Sequence, residues 1–460
     1  RSSPGALTLS TVIDATTVKR TRQFIKRHYE NDLITLPGGR RVPIKFPSPR
    51  ASSIKYDLDS VLPGFFGEVE DALMPVQGHP RLRMARYMPE NYLLETGTND
   101  GDTALVGLLR SGLLKRFESS AYAFAKTTRK MVIEHGQFLK GLEKGIVARK
   151  ELFRELSAAE DEDEIEEVLE ATEHADSAER YDMEVLRQHV EEDRDLLEAL
   201  CHKAEKVSME KDPKLAALVE ELVRVAEQAK REGIDEDDRR QKRKVLIFSF
   251  YADTVDWIED YLRVQLETDK RLAVFRGRMA SVAGNESRHG VNREHAVHGF
   301  APETTHAPPG KSGEDRDKFD ILICTDVLAE GMNLQQCRNI INYDLPWNPM
   351  RLVQRHGRID RIGSRHDEVY LRTFFPDRQL NRLLDLELRV KRKLAQAAYS
   401  VGVETPPIEG GAEGMQSFAE TREEIEKLRE GNPALFELGG TAAAAQSGEE
   451  YRQELRQALL

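Results

Sequence analysis

Phe319-Asp-Ile-Leu-Ile-Cys-Thr-Asp-Val-Leu-Ala-Glu-Gly-Met-Asn-Leu334, continuing through Asn342-Tyr-Asp-Leu-Pro-Trp-Asn-Pro349 to Gln354-Arg-His-Gly-Arg-Ile-Asp-Arg-Ile-Gly363, decides how the rest of the chain is read. Ile321 to Cys324 is an apolar run ending at Thr325 and Asp326. It reads as a buried strand whose polar carboxyl end opens into a crevice, where open α/β sheets place their ligands. A second run, Arg338-Asn-Ile-Ile-Asn-Tyr-Asp344, follows a turn holding Gly331, Asn333 and Leu334, and the economical reading is two adjacent parallel strands. Pro346-Trp-Asn-Pro349 then breaks the chain, and from Arg351 the spacing is helical, with Leu352, Arg355 or His356, and Ile359 on successive turns. On that helix Gln354, Arg358 and Arg361 share one face, so two guanidinium forks can meet one anion. Arginine pairs on helices are most often solvated. Here strand, glycine turn, strand, proline break and helix follow in the order a phosphate-handling α/β lobe needs.

These residues resemble helicase superfamily two, and within it the Swi/Snf-type DNA translocases, most closely their bacterial RapA-like branch. Gln354-Arg-x-Gly-Arg358-x-x-Arg361-Ile-Gly363 is similar to motif VI and Thr325-Asp-x-x-x-Glu-Gly331-x-Asn-Leu334 to motif V, with Asp344-Leu-Pro-Trp-Asn-Pro349 as the segment between them. Lys244-Val-Leu-Ile-Phe-Ser249, followed by Thr254-x-x-x-Ile-x-x-Tyr-Leu262, resembles motif IV and its helix. The resemblance implies an α/β recombinase-type (RecA-like) second motor lobe with a parallel sheet, carrying a long helical insertion.

Composition bounds the alternatives. At 460 residues, 39% hydrophobic and 32% charged, the chain accommodates two or three domains. No apolar run approaches the roughly 20 residues that span a bilayer, so a cytoplasmic protein without membrane contact is expected. Three cysteines without a Cys-x-x-Cys argue against a zinc site or a disulfide framework. The first residue is Arg and no signal peptide is visible, which reads as a fragment. The net charge of −12 is local: residues 151–200 hold 20 acidic and 4 basic side chains, leaving +4 elsewhere. A basic groove for phosphates remains compatible with that balance.

Taken in order, residues 1–62 hold a basic segment, Val18-Lys-Arg-Thr-Arg22, and an extended piece, Val42-Pro-Ile-Lys-Phe46. By resemblance they are the tail of a first lobe and the interlobe linker. Residues 63–210 read as a helical insertion. Leu109, Leu113, Phe117 and Ala121 form one core stripe, and long helices are expected over 136–210 with an acidic elbow at 160–167. An approximate heptad at Met183, Leu186, Val190, Leu197 and Leu200 is either internal packing or a surface for a protein partner. Asp212-Pro213 caps the helix that opens the lobe at 211–378. Glu368 to Phe375 is its last strand, residues 379–400 a brace helix and 401–460 a tail. Gly310-Lys-Ser312 imitates the end of a phosphate-binding loop, but Thr305 and two prolines precede it and no strand does.

No complete Gly-x-x-x-x-Gly-Lys-Ser/Thr loop appears in the chain. The resemblance therefore implies ATP with magnesium held mainly by a separate first motor lobe, with Arg358 and Arg361 as catalytic arginine fingers. Gln354, Glu330, Gly331 and Asn333 would complete the nucleotide contacts. Ser249, Arg276 and Thr325 would contact phosphates of double-stranded DNA. A non-enzymatic docking lobe and a DEAD-box-like RNA helicase lobe are the competing readings, and RNA polymerase recycling and phage defence the two pathways in view.

Overall fold

The computed structural model describes residues 32–35, 41–44, 46–73, 75–76, 79–94, 102–150, 173–283, 292–308, 317–326, 332–344, 349–362, 364–376 and 429–431. Glu330, Gly331, Gly363, the 160–167 run, the Gly310-Lys-Ser312 loop and residues 379–400 lie outside them.

Six strands build the central sheet: β1 (Ser48–Tyr56), β2 (Val245–Phe248), β3 (Met279–Val282), β4 (Ile321–Cys324), β5 (Asn339–Asn342) and β6 (Glu368–Pro376). Every pairing is parallel, in the order β1-β6-β5-β2-β4-β3. Side chains alternate between two apolar layers. Leu246, Phe248, Leu322, Cys324 and Ile340 face a core completed by Val297 and Phe300 of one helix and Leu352 of another. Val245, Ile247, Ile321, Ile323 and Ile341 face Leu215, Leu218 and Leu222 together with Val255, Ile258 and Leu262. A sheet covered on both faces is the α/β architecture expected of a recombinase-type lobe.

The helices are α1 (Phe65–Leu73), α2 (Asp102–Ser119), α3 (Ala121–Glu143), α4 (Met183–Ala204), α5 (Pro213–Glu232), α6 (Glu236–Arg243), α7 (Ala252–Thr268), α8 (Arg293–Phe300) and α9 (Pro349–His356). Asp212 caps α5 as the sequence suggests, accepting from the Lys214 and Leu215 amides. It also accepts from the Trp257 indole at 2.9 Å, which ties α5 to α7.

Three sequence expectations change. β4 and β5 are not adjacent, because β2 lies between them and pairs with both. Val-Leu-Ile-Phe, buried at every position, is the natural centre of a sheet covered on both faces. The sheet also reaches further back than residue 211: Ser48–Tyr56 pairs with β6 over nine residues and forms an edge. Finally, residues 136–210 are not all helix, since Ile146–Lys150 and Glu173–Ser177 form an antiparallel pair between α3 and α4.

The heptad-like stripe of α4 is spent internally. Leu197 and Leu200 join Phe65, Leu113, Phe117 and Phe124 in one core, while Leu186 and Val190 join Phe138 and Leu142 in another. α1 to α4 thus form a helical unit with its own cores. Among the described residues no helix is long and apolar enough to cross a membrane, and no group of His, Cys, Asp and Glu could hold a metal ion.

Candidate functional site

The carboxyl ends of β2, β4 and β5 lie side by side, and each is followed by polar residues: Ser249, Thr325-Asp326 and Asp344. α9 runs across this ridge. Its Arg355 is 2% exposed and clamps Asp326 with two bonds, Nε to Oδ1 at 2.5 Å and Nη2 to Oδ2 at 2.7 Å. Nη1 donates to the Asn342 amide oxygen at 3.0 Å, and the guanidinium lies 4.9 Å from the Phe248 ring centre. Burial would raise the Asp326 carboxyl, but Arg355 and then Arg351, 3.5 Å away, hold it below the ordinary carboxylate range. The clamp therefore joins the second residue after β4 to the helix after β5.

α9 ends at His356, and this corrects the geometry expected for the arginines. Beyond Gly357 the bonds tighten, with Arg358 N donating to Arg355 O and Ile359 N to His356 O. A buried contact between His356 and Asp360 at 2.9 Å fixes the turn. Gln354 is therefore exposed on the helix, Arg358 lies in the turn and Arg361 past it, rather than on three positions of one helical face. Arg361 folds back: Nε donates to Gly357 O at 2.7 Å, and Nη1 donates to the Asn333 side-chain oxygen. Leu334 N donates to Arg358 O at 2.9 Å, so the segments resembling motifs V and VI meet through backbone and side chain. Burial lowers the Arg361 guanidinium from its ordinary value. Among the described residues its acceptors are neutral.

The expected nucleic-acid contacts separate. Thr325 is at the ridge and buried. Ser249 is fully buried, and its hydroxyl donates to Asp344 at 2.6 Å, so it holds a loop in place instead of facing a ligand. Arg276 precedes β3 and therefore lies at the amino end of the parallel sheet, opposite the ridge; it pairs with Glu267 at 3.0 Å. It does not share a site with Thr325. A polar cavity of about 380 Å³ beside β1, β6 and α5 is also separate, and the Arg372 guanidinium on its wall is engaged by Glu221, Asn339 and Gln228.

Asp326, Arg355 and Asp344 went unassigned in the sequence. One signal pointed to Arg355: it shares a stripe with Leu352 and Ile359, and an inward arginine must be paired. Its partner lies 29 residues away, and no local pattern names it.

Residues 214–363 match the family model of the helicase conserved C-terminal domain. Over that span, about a third of the chain, the lobe is similar to the helicase C-terminal domain. Its matched span runs from the start of α5 to the end of the arginine segment, leaving the edge strand β1 and its neighbour β6 outside. "Uncharacterized ATP-dependent helicase YqhH" of Bacillus subtilis (strain 168) is 60% identical over 52 residues, which span 11% of this chain and 9% of that protein. Among solved structures, the crystal structure of the C-terminal part of the Fun30 ATPase domain aligns over 83% of this chain and 100% of that one, with 15% identity and a TM-score of 0.33. The fold assignment rests on the sheet topology itself.

Proposed function

We propose that the helicase lobe is the second motor lobe of an ATP-driven translocase that tracks along nucleic acid, duplex DNA foremost, in the manner of the Swi/Snf-type enzymes of the RapA-like branch. The observation carrying this reading is Arg361. It is a half-buried guanidinium just beyond α9 whose hydrogen-bond partners among the described residues, Gly357 O and Asn333, are neutral. A cation held by neutral dipoles in a partly desolvated site suits an anion arriving from outside the lobe.

ATP with magnesium, bound between this lobe and a first lobe bearing the phosphate-binding loop, supplies the phosphoryl bond whose cleavage drives the cycle. This chain's residues position and neutralise. Arg358 and Arg361 meet the growing phosphate charge, Asn333 aims Arg361, and exposed Gln354 adds a polar contact. The Asp326–Arg355 clamp keeps α9 against β4 while the lobes open and close. Thr325 and nearby backbone amides meet phosphates of the tracked strand. Such contacts carry no base information. The helical unit of α1 to α4 is an insertion in the motor.

The test is nucleic-acid-stimulated ATP hydrolysis by this chain, alone and mixed with the first lobe. The reading expects turnover only in the mixture. If the mixture is inactive while both parts are folded, the lobe is a docking scaffold.

A further inference from the structure

We propose that the elbow between α2 and α3 positions α9, so that the helical unit is mechanically wired to the arginine segment; the catalytic consequence rests on the motor-lobe function proposed above. Ser119 ends α2 and Ser120 caps α3, accepting from Ala123 N at 3.0 Å, and both serines are buried against the lobe. The Ser119 hydroxyl donates to Asp344 at 2.9 Å and lies 2.8 Å from the Thr254 hydroxyl, which is 2.9 Å from that of Ser120. Asp344 also accepts from Phe250 N at 2.9 Å. The elbow thereby fixes the backbone of the loop that follows β2.

A second path runs in parallel. Arg116 of α2 stacks 4.5 Å from the Tyr251 ring centre and donates to Asp253 at 3.0 Å. Tyr251 meets Phe250 edge to face at 5.1 Å. Both paths converge on Phe250, whose ring lies 5.0 Å from the Arg351 guanidinium of α9. Arg351 reaches Asp326, already clamped by Arg355.

The elbow cannot slide independently. Buried Lys214 of α5 donates to the Glu118 and Ser119 carbonyls at 2.8 and 2.9 Å, amid the rings of Tyr56, Tyr343 and Phe374. A positive charge on the last carbonyls of α2 also complements the helix dipole. Tyr122 of α3 stacks on Trp257 of α7 at 4.5 Å and 9°. A displacement of the helical unit must break these satisfied buried bonds or carry Asp344, Phe250 and α9 with it. Ser119, Thr254, Asp344 and Phe250 are positioning residues, acting on the site through α9.

The test begins with hydrogen exchange of this chain, which needs no activity. Ser119→Ala should raise exchange across 349–356 by about fivefold, the effect of one lost buried hydrogen bond on local opening, with 279–282 on the far edge unchanged. In Phe250→Leu, which removes the ring under Arg351, a further Ser119→Ala should have no effect on α9. Thr254→Val should reproduce the Ser119→Ala result if that variant folds poorly, and Thr254→Ser, which keeps the hydroxyl, should match wild type. In the mixture with the first lobe, Ser119→Ala should lower kcat by about fivefold and leave the KM for ATP unmoved. Unchanged α9 exchange in both hydroxyl deletions, or an increase spread equally to 279–282, overturns the inference. An inactive wild-type mixture with α9 exchange altered as expected removes the motor reading and leaves the wiring standing.

Discussion

Replacing Arg355 by Met keeps the aliphatic volume of α9 against Phe248 but leaves the Asp326 carboxylate without its bidentate partner. Removing one partner of a buried pair costs about 3–5 kcal/mol. Asp326 keeps a side-chain exposure of 20%, and Arg351 stays 3.5 Å away, so the expected loss is smaller, about 2–3 kcal/mol or roughly 30- to 150-fold in the folding equilibrium of the lobe. The sign with pH follows from the carboxyl. In the wild type its folded value is depressed, so its contribution is present above the unfolded value of 3.8 and lost as pH falls through the folded one. In the variant burial dominates, the folded carboxyl shifts upward, and protonation relieves the penalty as pH falls. The gap between the two proteins must therefore narrow towards acid. Urea unfolding at pH 7 and at about pH 4.5, read by tryptophan fluorescence, measures both quantities. Asp326→Leu combined with Arg355→Met should recover to within about 1 kcal/mol of wild type, because an apolar replacement of the whole pair is often neutral. A single variant as stable as wild type at pH 7, or a loss as large at acid pH, would refute the role given to the clamp.

Other outcomes follow from the same geometry. Burial pushes Asp193 up to about 6 from 3.8, although it accepts from the Arg83 and Ala85 amides. A raised carboxyl favours the protonated fold, so stability should fall between about pH 4 and 6 by at most about 3 kcal/mol, and Asp193→Asn should flatten that part of a Tm-against-pH curve. Lys214→Met removes the donor to two helix-end carbonyls and the cation beside the Glu118 carboxylate, and should lower stability by about 3 kcal/mol in urea unfolding; a change under about 0.5 kcal/mol would mean the cage is ornamental. Duplex DNA binding should be insensitive to sequence and should weaken by about tenfold or more between roughly 50 and 200 mM salt. A salt-independent affinity, read by fluorescence anisotropy, would remove the phosphate-contact reading.

What was legible in the sequence follows from where the information is local. The runs at 245–248, 321–324 and 339–342 are buried throughout, so composition alone marks them as strands. The Asp212-Pro213 cap and the stripe Leu109, Leu113 and Phe117 are equally local. Ser-Pro-Arg-Ala-Ser-Ser-Ile-Lys-Tyr at 48–56 is a strand only because β6 accepts it; as a polar edge with few buried side chains it has no apolar signature. Spatial order was hidden too, since β2 enters between β4 and β5 from some seventy residues upstream. Ser249 is a ligand contact by resemblance alone, and only Asp344, 95 residues later, shows that its hydroxyl is already taken. Arg276 sits before a strand rather than after one, and that distinction depends on where β3 begins.

The arginines beyond α9 are proposed to complete an ATP site formed with a first lobe. This role is tested most directly by Arg358→Ala and Arg361→Ala in the two-lobe mixture, measured as kcat for nucleic-acid-stimulated ATP hydrolysis with folding checked by Tm. At least one of the two substitutions should cost about a thousandfold or more, as for an arginine finger, while nucleic-acid binding and Tm stay near wild type. Undiminished turnover in both variants would contradict it.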